Sequence, residues 1–465
     1  MATVTLSGRR GATDPLKLSR PLGAALAFLG LERCMPLLHG PQGCAAFAKA
    51  LLTKHFREPV PLQTTAVTEL TAVLGAAGHL VTALDTIRSA SAPDVIGVIT
   101  TGVSETSGED VEATVREYRL GRASGPQDPL VVLVRAPDFI GGLSDGWSAA
   151  LASIVAAGLE APPEEQPVRS GPLAFPLLAG VSLAAGDLDE LEAMIAGFGV
   201  TPVLVPDLSR SLDGHLAPAW SPLTTGGTGR AALAALAAAP AAASAGASAA
   251  AAAETLARGG VPVARFDHLA GLEAVDAFVD RLRTTTSEPV PDRVRRDRAR
   301  LADGLLDTHF VLGGARVAVA AEPELLTGVT HLLASAGARV VAAVSPTDEP
   351  VLTTAACEEV VVGDLSDLRA RAAEGGAEVV IGSSHTVATA RAVGAGHLPL
   401  GLPVDHRFGA ALNGVAGYRG GLAFVFRAAD VLLARQDDAH PAPAAPSGPV
   451  PVPAHVTDTL RSPQC

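Results

Sequence analysis

A cysteine set behind two glycines is the residue of this chain best placed to do chemistry. It closes the run Cys34-Met-Pro-Leu-Leu-His-Gly-Pro-Gln-Gly-Cys44, and the apolar stretch Ala45-Ala-Phe-Ala-Lys-Ala-Leu-Leu52 follows at once. The Gly40–Gly43 turn therefore predicts Cys44 at or near a helix N-terminus. Exposed backbone N–H groups there favour a thiolate and lower the thiol pKa. The same groups can donate to sulfide, and the flanking glycines, Gly43 above all, let a bulky inorganic cluster approach the backbone. The competing reading is a buried, inert cysteine at a tight turn.

A 4Fe-4S cluster ordinarily takes four thiolates. The chain has 4 cysteines, but they are badly spaced for one site. Cys34 lies in an apolar, strand-like run, Cys357 far along the chain, and Cys465 in the tail. No C-x-x-C pair occurs. If Cys44 holds a cluster, another chain has to complete it, and the centre lies at a subunit interface. His39 could donate a hydrogen bond in support of such a centre, or cap the strand before it. Glu105 and Glu109 follow Val103 closely, though spacing fixes no role for them. Gly226-Gly-Thr-Gly229 lacks the Lys-Ser/Thr of a phosphate-binding loop and reads as a loop before a helix. His385, after a strand in Gly382-Ser-Ser-His385, suits a structural or cleft-lining role better than a metal-binding one.

These residues need elements to hold them. At 465 residues, the chain is long enough for two to four domains. Hydrophobic residues make up 48% and charged residues 18%, which excludes a largely disordered protein. A formal charge of −13 argues against nucleic acid as a partner, since phosphate neutralisation needs a basic face. Too few cysteines for a disulfide scaffold, no apolar core behind Arg9 and Arg10, and no sustained apolar span point to a cytoplasmic, reducing setting with no membrane partner. Asp94–Thr100 and Pro129–Arg135 read as buried strands flanking a helical stretch, a parallel βαβ unit. Phe175–Ala179 and Thr201–Val205 repeat the pattern around an amphipathic helix, Asp187–Phe198, that carries Leu188, Leu191, Met194, Ile195 and Phe198 on one face. Four more strands, beginning near Arg316, Arg339, Glu358 and Ala377, make a third unit. The Ala-rich run Ala231–Ala253 is expected to form two surface helices broken near Pro240. The fold class is therefore α/β, with three consecutive Rossmann-like, doubly wound parallel-sheet domains. The expected boundaries are a flexible N-terminus over 1–14, domains over 15–168 (bearing Cys44), 169–288 and 289–435, and a disordered Pro/Ala-rich tail over 436–465.

With these motifs in order, the chain resembles the nitrogenase component 1 family. The resemblance rests on Pro15-Leu-Lys-Leu-Ser-Arg-Pro-Leu-Gly-Ala24, the His39–Cys44 turn, Thr100-Thr-Gly102, Pro137-Asp-Phe139 with Asp145-Gly-Trp147, Gly186-Asp-Leu188, Ser211-Leu-Asp-Gly-His215, Thr225-Gly-Gly-Thr228, Leu306-Asp-Thr-His-Phe310 and Gly417-Tyr-Arg-Gly420. Gly401–Gly409 departs from the family pattern, with His406 between Asp405 and Arg407. The family's catalytic β subunit offers three cysteines to an eight-iron P-cluster. At the matching positions this chain has Ser19, Cys44 and Val103. Ser19 could ligate iron through oxygen and Val103 cannot. The resemblance thus implies a cofactor-assembly chain, not an enzyme. It would lend Cys44 to a 4Fe-4S cluster shared with a NifE-like partner, in a heterotetramer with two copies of each chain. That complex would hold a transient iron-molybdenum cofactor precursor and receive the nitrogenase iron protein. The alternative is a redox enzyme subunit, either a nitrogenase β chain or part of a dark-operative tetrapyrrole reductase.

Overall fold

The computed structural model describes residues 1–8, 12–121, 128–160, 173–216 and 219–439. Its strands form three separate sheets, every pairing within them parallel. In chain order the strands are β1 (Thr3–Leu6), β2 (Cys34–His39), β3 (Gln63–Thr64), β4 (Val95–Thr100), β5 (Leu130–Val134), β6 (Ala174–Ala179), β7 (Thr201–Val205), β8 (Ala242–Ala245), β9 (Val263–Phe266), β10 (Arg316–Ala320), β11 (Arg339–Ser345), β12 (Glu359–Val362), β13 (Val379–Gly382) and β14 (Gly396–Pro399). The sheet orders are β3-β2-β4-β5, β7-β6-β8-β9 and β1-β12-β11-β10-β13-β14. Strands such as β2, β4 and β8 are buried at every position. This is why they read as unbroken apolar or small-residue runs: helices cover both faces of a parallel sheet.

Each sheet reverses direction once. In the first, connections leave β2 and β4 toward opposite edges, and the same holds for β6 and β8, and for β10 and β13. The carboxyl ends of such a strand pair bound the crevice where open α/β sheets place ligands. One apolar core runs through all three units, from Ala2 to Leu432.

Two closely packed helices of the first unit join it to the second. The helix Arg20–Leu29 is buried along nearly its whole length and lies against the helix Leu143–Glu160. Gly23 and Gly146 stand at the crossing. A Cβ on Gly23 would come within 2.0 Å of the Leu143 carbonyl oxygen, and one on Gly146 within 1.8 Å of the Arg20 carbonyl oxygen. Trp147, on the same helix, donates its Nε1–H to the Ala179 carbonyl at the end of β6 (2.9 Å).

Three sequence expectations are corrected. Residues 1–14 were expected to be flexible, yet Thr3–Leu6 form the edge strand of the third sheet, paired with Glu359–Val362. Thr3, Val4 and Thr5 suit a strand, but the partner lies at the far end of the chain. The Ala-rich run was expected to give surface helices, yet Ala242–Ala245 is an interior strand between β6 and β9. Pro240 and Gly246 (φ +114°) bracket a stretch shorter than two helical turns, and helix propensity yields to burial. The last helix, Gly417–Ala439, runs past the expected tail boundary at 436. The remainder of the tail and the Ala161–Pro167 linker lie outside the described residues.

Candidate metal centre

Cys44 stands at the first unit's crevice. β2 ends at His39, and the Gly40–Pro41 turn leads into the helix Gln42–Phe56, whose third residue is Cys44. The turn is braced on two sides. Thr101 Oγ1 donates to the His39 carbonyl (3.0 Å) and Thr64 Oγ1 to the Gly40 carbonyl (2.8 Å). The Gly40 N–H reaches Thr65 Oγ1 (3.1 Å). A Cβ on Gly40 would lie 2.4 Å from Thr101 Oγ1, so only glycine lets β2 and β4 close here. Gly43, by contrast, faces open space, with nothing within 4 Å of a Cβ built on it. The thiol of Cys44 is half-buried. One donor, fixed on a braced turn beside an open face, fits a single corner of a shared cluster and not a whole one. Among the described residues no group of three or more His, Cys, Asp or Glu could hold a metal ion.

The thiol's ionisation differs from expectation. Partial burial, then the Asp138 carboxylate, push its pKa up, and its own backbone N–H opposes them without prevailing. The helix terminus alone does not make this thiol a thiolate. A bound cation would have to supply the positive charge. Asp138 was not singled out by its chemistry in the sequence. It follows β5, whose carboxyl end lies next to that of β4, and that adjacency was the available signal. Burial raises its carboxyl, opposed by the Gly102 backbone N–H and by Lys17.

The other predicted residues divide. Ser19 is exposed and caps the helix Arg20–Leu29, its Oγ accepting from the Leu22 N–H (3.4 Å). Val103 is half-buried on the short helix Gly102–Thr106. His39 does not turn toward Cys44. Its Nδ1 pairs with Thr65 Oγ1 (3.0 Å) and its Nε2 with Glu109 Oε2 (3.2 Å). Burial lowers its pKa, with Glu109 pulling the other way. The imidazole therefore braces the strand end, and a hydrogen bond from it to the cluster side has no free ring nitrogen. Glu105 is bound by Thr100 Oγ1 (2.7 Å) and by Arg135. Cys34 is sealed inside β2, and burial pushes its thiol far up. Cys357 is half-buried, its thiol raised to about 11 by burial. The Gly226–Gly229 loop packs on the Arg210 and Gly30 carbonyls and leads into a helix. In the third unit His385 is exposed, while His397 and His406 contact the hydroxyls of Thr386 (2.8 Å) and Ser384 (2.6 Å).

Apolar side chains stand exposed around the Cys44 turn. Phe47, one helical turn on, is 76% exposed. The helix Glu69–Leu74, reached through Val67, whose N–H bonds Gly40 (3.0 Å), has no buried residue and exposes Leu70, Val73 and Leu74. Phe139 and Ile140 are exposed beside Asp138.

Residues 19–433 match the model of the nitrogenase component 1 type oxidoreductases, and the chain belongs to that family. The fold agrees: a solved chain of Nitrogenase Cp1 at pH 6.5 superposes with a TM-score of 0.85 at 24% identity, covering 93% of this chain and 96% of that one. Within the family the chain groups with the NifN proteins. The nitrogenase iron-molybdenum cofactor biosynthesis protein NifN of Rippkaea orientalis is 40% identical over 451 residues, 93% of this chain and 97% of the relative. That of Rhodobacter capsulatus is 40% identical over 441 residues (93% and 94%), and that of Klebsiella pneumoniae 35% over 439 (94% and 94%). No helix among the described residues is long and apolar enough to cross a membrane.

Proposed function

We propose that the chain is an assembly subunit for the iron-molybdenum cofactor, the process for which its NifN relatives are named. It pairs with a NifE-like chain, two copies of each, and lends Cys44 to a 4Fe-4S cluster whose other ligands come from that partner. The precursor is the complex's cargo, and the nitrogenase iron protein is its visitor. When bound, the cluster supplies one-electron transfer. This chain's part is to hold one thiolate on a braced turn, with Thr101 and Thr64 fixing the backbone and Gly43 leaving the approach open. The observation that carries the reading is the half-exposed Cys44 on an apolar rim. An exposed apolar patch of this kind marks an interaction site.

Co-expression with the NifE-like partner tests it. One 4Fe-4S cluster per heterodimer is expected by iron analysis and EPR, lost in Cys44→Ala, while the chain purified alone carries little iron. A stoichiometric cluster on the isolated chain would falsify the shared-ligand reading. Acetylene reduction by the complex without cofactor transfer would favour the redox-enzyme alternative. The rim makes a separate prediction. Leu70→Ser with Val73→Ser should weaken pairing by about tenfold or more, seen by analytical ultracentrifugation. The melting temperature of the isolated chain should stay within about 1 °C of wild type, because exposed side chains contribute little to folding.

A further inference from the structure

The crevice of the second unit is already filled, and by the chain itself. It lies between the carboxyl ends of β6 and β8, and the side chain in it is Glu324, from the first turn of the helix Pro323–Ser335 that follows β10 of the third unit. Its carboxylate accepts the Ser182 N–H (3.0 Å) and the Ser248 N–H (2.7 Å), one from each loop bounding the crevice. The residue is 3% exposed. Two glycines make room for it. A Cβ on Gly180 would lie 2.6 Å from Glu324 Oε1, and one on Gly246 2.9 Å from both of its oxygens. Two backbone donors over a glycine floor are the parts of an oxyanion nest, and here the oxyanion is a side chain of the neighbouring unit.

Further carboxyl groups surround this contact. Glu322, two residues away, accepts from Ser144 Oγ of the first unit (2.8 Å). Glu349 and Asp145 also stand near, and the charges that act on Glu322 and Glu349 from this group are all carboxylates. Burial raises the Glu324 carboxyl too, and the Ser182 and Ser248 N–H groups oppose that rise, so the two bonds favour the charged form in the nest. Beside it a cavity of about 80 Å³, lined among others by Ser182, Glu322, Leu325 and Ser383, lies between the second and third units, with Leu26, His55 and Leu143 of the first unit closing it.

We propose that Glu324 is a releasable latch: seated in the nest between Ser182 and Ser248 it fastens the second unit to the third and keeps the cavity between them small, and unseated it lets the two units part and leaves a vacant site for a small carboxylate or similar oxyanion. The proposal concerns the chain's own mechanics and stands whether or not the assembly reading does.

Hydrogen–deuterium exchange on the full chain tests it. In Glu324→Ala the segments 180–184 and 246–250 should exchange about tenfold faster than in wild type. Formate at 0.1 M or so should restore much of the protection, and chloride at equal ionic strength should not, since only a carboxylate can replace the lost one in the nest. Unchanged exchange in Glu324→Ala overturns the proposal, and so does faster exchange that formate and chloride affect alike. If the alanine variant does not fold, Glu324→Gln decides. It keeps the shape but sets an amide against two N–H donors, so faster exchange confined to the two segments supports the latch, and wild-type exchange overturns it.

Discussion

Gly146→Ala is expected to lower the melting temperature by about 3 °C, with a cost of about 3 kcal/mol. The added methyl would stand 1.8 Å from the Arg20 carbonyl oxygen and 3.1 Å from the Ala24 nitrogen. Both are backbone atoms of a buried helix, so no side chain can swing aside. The two helices must separate, opening a seam in the main core, where overpacking commonly costs 1–3 kcal/mol even when only side chains move. The change also reaches the candidate metal centre. Ser19 begins one of the two helices, and the Asp138–Gly142 segment leads into the other, so parting them shifts two walls of the crevice at once. Gly78→Ala is the control. It too lies in a helix, but nothing stands within 4 Å of its added Cβ, and no loss is expected. Equal melting of Gly146→Ala and wild type by differential scanning fluorimetry would show that the helices do not cross at this pair.

The second large effect is on pH dependence. Glu349 has its carboxyl pushed up to about 8, first by burial and then by Glu324, Asp145 and Glu322, from an ordinary value of 4.5. Glu322 is raised to about 7, again chiefly by burial. Between about pH 4.5 and 8 the folded chain thus holds protons that the unfolded chain has released. Stability falls as pH rises through that window and levels off above it. The buried histidines act oppositely but lower down: His55, His268 and His397 are depressed to about 4, so their contribution is complete by about pH 6.5. From pH 7 to 9 the carboxyls dominate, and the wild-type melting temperature should fall. Glu349→Gln removes the largest of these shifts. It should be the more stable protein at pH 9, by about 2 kcal/mol after allowing for hydration and mutual relaxation within the cluster, with the advantage shrinking toward pH 5. A difference between the two proteins that stays constant across pH would rule out this account.

The Cys44 turn was legible because its signal is local. Glycines, a following apolar stretch and helix capping geometry are all decided within a few residues, and the structure puts Cys44 at the third position of the helix they announced. The buried strands β4, β5, β6 and β10 to β13 were legible for a related reason, since burial on both faces writes itself as an apolar run. What was not legible depended on distant partners. Ala242–Ala245 reads as helix by composition, and only its neighbours β6 and β9 make it a strand. His39 reads as a helper of Cys44 because it is five residues away, but Thr65 and Glu109 take its ring. The thiol's pKa was expected to fall by the helix terminus, and partial burial, joined by Asp138 from a different strand, reverses the sign. Glu324 showed nothing in the sequence to separate it from any surface glutamate, because the glycines that receive it belong to another sheet.

The pairing of Thr3–Leu6 with Glu359–Val362 sets a schedule for synthesis. At translation speeds of roughly 5–20 residues per second, the earliest strand leaves the ribosome some 20–70 seconds before its neighbour does. Throughout that interval the first two sheets can close around complete sets of strands, while this short edge hangs unpaired with its N–H and C=O groups free to find other chains. The last sheet cannot finish until Thr3–Leu6 return to it, so that segment has to remain untangled and available until β12 has been made.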